Sequence, residues 1–175
     1  TDAGAKSGLL SGRPLVAHAP NSAQSVIGRS DDLVAGTSYY QDEVEAVLRL
    51  VHSSHSDRPH LFLFDELFRG TSTVERVSAA EGVLAELVGN PDEASPSSPH
   101  VVIAATHDRK LVDFLGDTYD AYHFSDVVGS DGLSFDYRLR IGPAHTRNAI
   151  ALLEWYGAPT SVVRRARRRA AELER

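Results

Sequence analysis

The residues with the clearest chemical potential are two adjacent acids, Asp65 and Glu66, which follow the continuously apolar run Leu61 to Phe64. Such a run suits a strand buried on both faces. Its end would set both carboxylates at the carboxyl edge of a sheet, where open α/β sheets bind ligands. In a nucleoside triphosphatase built this way the first carboxylate helps hold Mg2+, and the second orients or activates the attacking water. The same pattern also arises where two acids merely open a helix. Thr106-His107-Asp108 follows the next apolar run, Val101 to Ala105, so His107 is expected at the same edge, in reach of a terminal phosphate. Taken alone it reads as a surface histidine at a helix start. Ser30 to Tyr40 brings Gly36, Thr37 and Ser38 up to a helix. Glycine and hydroxyl residues there offer free N–H groups and a positive dipole end to a phosphate, or simply an N-cap from Thr37 or Ser38. Gly4-Ala5-Lys6-Ser7 has the ending of a phosphate loop, G-x-x-x-x-G-K-[ST], with Ala5 in place of the last glycine.

These residues need elements to position them. Asp42 to Val51 predicts a helix, with Val44, Val47, Leu48 and Val51 at helical spacing and Asp42, Glu43 and Glu45 at its positive end. Val74 to Val88 predicts a second, with the stripe Val77, Ala80, Val83, Leu84 and Leu87. His107 to Leu115 reads as a short helix. Tyr119 to Val127 and Leu133 to Arg140 flank Gly129-Ser130-Asp131-Gly132 and predict a β-hairpin. Two closing helices, Ala149 to Tyr156 and Ser161 to Glu174, are separated by Gly157 and Pro159. Residues 89–99 carry three prolines and predict a flexible loop. Strand, helix, strand, helix is the order of an α/β domain with a mainly parallel sheet flanked by helices. The whole of 1–175 reads as one such domain, closed by a helix over 160–175. Residues 1–27 are its atypical part, an incomplete phosphate-loop region. A long helix should begin at Lys6-Ser7, yet Gly8, Gly12 and Pro14 interrupt it.

As an ordered set, these segments resemble the ATPase domain of the MutS family. Ser30 to Tyr40 is similar to the family's signature segment. Asp65-Glu66 with Arg69-Gly70-Thr71-Ser72-Thr73 is similar to its Walker B strand and D-loop, and Thr106-His107-Asp108 to its switch histidine. The run Phe135 to Arg140, with Gly142 and Arg147-Asn148-Ala149, looks more like the shorter MutS-related proteins than mismatch-repair MutS itself. Gly157-Ala158-Pro159 with Val162 to Ala166 resembles the family's closing helix. The likeness runs from about Gly28 to the C-terminus.

The resemblance implies a P-loop NTPase of the ABC class that binds ATP with Mg2+ and works as a homodimer or beside a related MutS-like chain. Each nucleotide would lie between the Walker motifs of one chain and the signature segment of the other. Carried over residue by residue, it implies Asp65 and Ser7 at Mg2+, Glu66 at the hydrolytic water and His107 at the γ-phosphate. It likewise implies Gly4, Lys6 and Ser7 around the phosphates, and Gly36 and Ser38 reaching the partner's nucleotide. Gly70, Thr71, Ser72 and Thr73 would line the dimer seam. DNA metabolism related to mismatch repair is implied too, with DNA held by domains outside this chain.

Composition bounds these readings. The 175 residues are one domain's worth, and 42% hydrophobic with 24% charged content suits an ordinary globular protein. No apolar run has the roughly 18 residues of a membrane span, Thr1 to Ser11 are small and polar unlike a signal peptide, and cysteine is absent, so a cytoplasmic location is expected. The chain lacks an initiator Met, as expected of a processed chain or a fragment. A net charge of -6 argues against holding DNA by bulk electrostatics. Arg164, Arg165, Arg167, Arg168 and Arg169 crowd the last helix, as a solvated face or as a nucleic-acid patch. Two rival readings are a structural dimerisation module with weakened catalysis and the motor domain of an ABC transporter. The second lacks Leu-Ser-Gly-Gly-Gln.

Overall fold

The computed structural model describes residues 7–11, 22–27, 39–56, 58–89, 99–129, 132–144 and 148–173. Six strands form one sheet in the order β2 (Ser22–Ile27), β3 (His60–Asp65), β4 (Val101–Thr106), β1 (Ser7–Ser11), β5 (Tyr119–His123) and β8 (Arg140–Ile141). Strands β2, β3 and β4 are parallel, in a register that aligns Val26, Phe64 and Ala104. The other pairings, β4 with β1, β1 with β5 and β5 with β8, are antiparallel. The expected mainly parallel sheet is therefore corrected to a mixed one, because β1 enters its middle reversed.

From Ser7, where Gly8, Gly12 and Pro14 interrupt any helix, the chain forms this strand. Ser7, Leu9 and Ser11 are buried while Gly8 and Leu10 are only partly so, a period of two that a helix cannot use. Both edges of β1 pair, to β4 and to β5, so its backbone groups are satisfied inside the sheet.

The helices are α1 (Tyr39–Ser54), α2 (Thr73–Val88), α3 (Arg109–Phe114), α4 (Ala149–Trp155) and α5 (Thr160–Leu173). The first three supply Val47, Leu50, Val77, Ala80, Leu84, Leu87, Leu111 and Val112 to one core. They meet Leu9, Phe62, Phe64, Val102, Ala104 and Tyr119, which share a single face of the sheet. Each fully buried aliphatic or aromatic side chain stabilises by about 1.5–3 kcal/mol, so this face supplies most of the folding drive. Leu10, Leu61, Leu63, Val101 and Ile103, on the other face, are not fully buried. Of the expected α1 stripe, Val47 is buried and Val44 and Val51 pack against the core, but Leu48 is exposed and Glu43 and Leu50 are buried instead.

Local signals explain the ends of α2. Ser72 caps it by accepting the Glu75 N–H, and Gly89 closes it with φ 75°, a left-handed angle that glycine adopts freely. The expected hairpin forms, but only from β6 (Asp126–Gly129) and β7 (Gly132–Phe135), paired Gly129 to Gly132. Tyr119 to His123 joins the main sheet instead. Its anchor is Tyr119, buried with its hydroxyl donating to Leu84 O at 2.7 Å. The hairpin is tied to the start of α4, where the Asn148 amide donates to Asp126 O at 2.9 Å. On α5 all five arginines from Arg164 to Arg169 are exposed; Arg167 pairs with Glu154, and Arg169 with Glu172 at 2.6 Å.

Candidate functional site

The strand directions bring separate parts of the sequence to one edge. Asp65 ends β3 and Thr106 ends β4 beside it. Because β1 is reversed, its first residue, Ser7, lies at this same carboxyl edge, opposite Thr106 on one side and His123 on the other. The Ser7 hydroxyl accepts the Ala144 N–H at 3.0 Å. Of the other residues expected around the phosphates, Gly4, Lys6, Gly36 and Ser38 lie outside the described residues.

After Asp65 the chain leaves the sheet through a tight turn. Glu66 has φ 55° and Phe68 φ 60°, left-handed angles that cost a side-chain-bearing residue about 1–2 kcal/mol each. The surrounding structure over-determines them. The Glu66 N–H donates to Ala105 O at 3.0 Å, extending the β3–β4 pairing by one residue. The Phe68 N–H donates to Glu43 Oε1 at 2.6 Å, and its ring is buried against Tyr40, centroids 6.2 Å apart. Strain held in place this way is characteristic of functional turns.

The turn aims the Glu66 carboxylate at the end of the neighbouring strand. Glu66 is buried, and its Oε1 lies 3.5 Å from His107 Nε2, whose ring is partly exposed. The pair thus runs from the interior to the surface. The His107 loop is braced from below. Asp108 accepts two bonds from Arg76 of α2, Nε at 2.7 Å and Nη2 at 3.0 Å, and its own N–H donates to Thr106 Oγ1 at 3.0 Å. A half-buried bidentate pair is among the stronger polar contacts, with hydrogen bonds to charged groups contributing about 1.5–3 kcal/mol. The contact with Asp108 holds the Arg76 guanidinium above its ordinary pKa, and the nearby Glu66 charge adds to the effect.

The expected seam residues form a lip after this turn. Gly70, Ser72 and Thr73 are exposed, and Thr71 is partly buried. Thr71 and Ser72 donate to Glu75 Oε2 at 2.6 and 3.2 Å, so this lip is tied to the first turn of α2. Those bonds, Thr71 first, hold the Glu75 carboxyl below its usual range. At Gly70 a side chain would meet Tyr40 Cβ at 3.1 Å, which brings the first turn of α1 directly against the lip.

The sequence placed Glu43 only at the positive end of a helix and Asp108 only beside the histidine, and assigned Arg76 no role. For Glu43 a signal existed: it stands four and seven residues before Val47 and Leu50, on the buried stripe, where an acid needs a partner. Burial pushes its carboxyl up, against the opposing pull of the Phe68 N–H and the Arg69 charge.

An α/β domain that gathers two acids and a histidine at one sheet edge, over a strained turn, has the form of a ligand-handling module. Comparison with known proteins gives the family. The MutS domain V model matches residues 19–174. The chain is 32% identical over 142 residues to the DNA mismatch repair protein MutS of Natronomonas pharaonis, covering 80% of this chain and 16% of that protein. It is 31% identical over 143 residues to the MutS of a Synechococcus strain, covering 81% and 15%. To the MutS of a Roseiflexus strain it is 34% identical over 152 residues, covering 85% and 13%. The chain belongs to the MutS family, and it spans about a seventh of the length of these relatives.

Proposed function

We propose that this domain binds and hydrolyses ATP as a P-loop ATPase of the ABC class, and that nucleotide-driven pairing of two chains moves DNA-handling parts of a mismatch-repair-related protein in the cytoplasm. The observation that supports this reading best is the Glu66 turn, whose carboxylate meets His107 across the ends of β3 and β4. Asp65 offers one carboxylate beside it. That suits a Mg2+ ion carried in on phosphates, which needs only one or two protein carboxylates. Bound Mg2+ would supply charge neutralisation at the phosphates.

The chain's own residues then have distinct tasks. Glu66 orients water and accepts its proton. Burial of Glu66 strengthens this role by limiting solvent screening around the carboxylate. His107, whose neighbour Asp108 is held by Arg76, would contact the γ-phosphate. The lip from Gly70 to Thr73 would meet the partner chain, while Gly36 and Ser38 would reach the partner's nucleotide.

A second reading, a structural dimerisation module with weakened hydrolysis, draws on one observation: a strand runs from Ser7 where a phosphate-loop helix would start. ATP turnover by the purified protein separates the two. If the composite site forms, ATP with Mg2+ draws two chains together in sedimentation, and Ser38→Arg abolishes that association without changing the monomer's folding. Association that ignores Ser38→Arg would place the interface elsewhere. Monomer at every ATP concentration would refute the dimeric site.

A further inference from the structure

The first turn of α1 and the Glu66 turn are joined by three contacts of different kinds. Glu43 Oε1 accepts the Phe68 N–H at 2.6 Å. The Tyr40 ring faces the Phe68 ring. Tyr40 Cβ lies where any side chain at Gly70 would intrude. Only the first is polar, and it is buried. It satisfies a backbone N–H at a residue with left-handed φ, and the bond is stronger than a neutral one when the acceptor is ionised. The other Glu43 oxygen, Oε2, is buried without a hydrogen-bond partner among the described residues. A carboxylate is thus kept in the interior at a desolvation cost, with a single backbone N–H as its hydrogen-bonded counterpart.

We propose that Glu43 is a positioning residue, which locks the left-handed turn from Glu66 to Phe68 onto the amino end of α1 so that the Glu66 carboxylate is held against His107. The inference rests on the ATPase reading for its consequence. Helix α1 begins at Tyr39, directly after Ser38. If Ser38 and Gly36 contact the partner's nucleotide, a shift of α1 on that contact reaches this chain's own Glu66 through Glu43. The two nucleotide sites of a pair would then be coupled within each chain as well as across the seam. Glu43 itself touches no reacting atom.

The test compares Glu43→Ala, which removes the acceptor, with Glu43→Gln, which keeps an oxygen at the same reach, and Glu43→Asp, which keeps the charge but shortens the reach. Amide exchange is read at Phe68, the His107 imidazole resonance by NMR, and ATP turnover where the wild type has it. In Glu43→Ala, Phe68 exchange should rise about tenfold or more, the scale of one lost hydrogen bond, while Leu84 and Val102 stay protected. The His107 resonance should move, and kcat should fall by about 10²-fold with a much smaller change in KM, as for a displaced reacting group. Glu43→Gln should restore all three, and Glu43→Asp should fall between. If Glu43→Ala does not fold, the Gln and Asp variants still decide by their order. Unchanged Phe68 exchange, an unmoved His107 resonance, or equal loss in Ala and Gln would each overturn the proposal. So would a kcat unmoved by lost protection at Phe68. A wild type without turnover would instead refute the ATPase reading. The exchange and resonance measurements would still decide what Glu43 holds in place.

Discussion

His60 and His100, at the amino edge of the sheet, and His107, at its carboxyl edge, are held in opposite ways. At the amino edge, His60 and His100 stand beside the starts of β3 and β4, with ring centroids 5.4 Å apart. Every ring nitrogen there has a partner. The His100 Nδ1 accepts the His60 N–H at 3.2 Å, and its Nε2 lies 2.7 Å from Ser54 O, so the proton sits on Nε2. The His60 ring meets Ser22 Oγ at 2.7 Å and Ser56 Oγ at 3.0 Å. Both residues are buried, and none of the residues in this cluster has a left-handed backbone. At the carboxyl edge, His107 is partly exposed, Glu66 Oε1 lies 3.5 Å from its Nε2, and two residues of the facing turn have left-handed φ. One cluster is relaxed and closed. The other is strained and open to solvent, and that difference is what the proposed function rests on.

That contrast can be broken experimentally, and the largest effect is expected at the strained edge. Glu66→Gln keeps size and hydrogen bonding but removes the charge. Turnover should fall by about 10² or more while ATP binding persists, as for loss of a general base. Unchanged turnover in a steady-state assay would remove Glu66 from the chemistry. His107→Ala should slow hydrolysis with little loss of melting temperature, since its ring is partly exposed and lies outside the core. A variant that melts early yet turns over normally per folded molecule would move His107 into the structural class.

The amino edge should respond the other way. His100→Ala strands the buried His60 N–H and the Ser54 carbonyl, at a cost of about 1–3 kcal/mol per unsatisfied group, with turnover per folded molecule unchanged. Denaturant unfolding beside an activity assay checks both halves. A smaller effect should appear with pH. Burial, aided by the neighbouring His60, holds the His100 imidazole below its ordinary value despite its bond to Ser54. The unfolded chain therefore takes up the proton first as pH falls. The stability that His100 contributes is complete above about pH 6.5 and is lost as pH descends through the lowered folded value. Replacing His100 with Gln should flatten melting temperature against pH in that window. An equally steep profile would assign the dependence to other groups.

Much of this fold was legible in the sequence because its signals are local. The apolar runs before Asp65 and Thr106 specify β3 and β4, and helical spacing specifies α2 and most of α1. Two acids at one strand end and a histidine after the next strand were enough to expect the carboxyl-edge site. Asp65-Glu66 with Arg69 to Thr73 were readable as a motif, though not as a strained turn. What the sequence could not show is contact between distant segments. Glu43 and Phe68 are 25 positions apart, Arg76 and Asp108 are 32 apart, and His60 and His100 are 40 apart. No periodicity encodes those separations, since helix and strand repeats specify which face a residue occupies but not what will cover it. The direction of β1 had the same origin. Five residues with a period of two can pair either way, and only the slot between β4 and β5 made the strand run backwards and brought Ser7 to the same edge as Asp65.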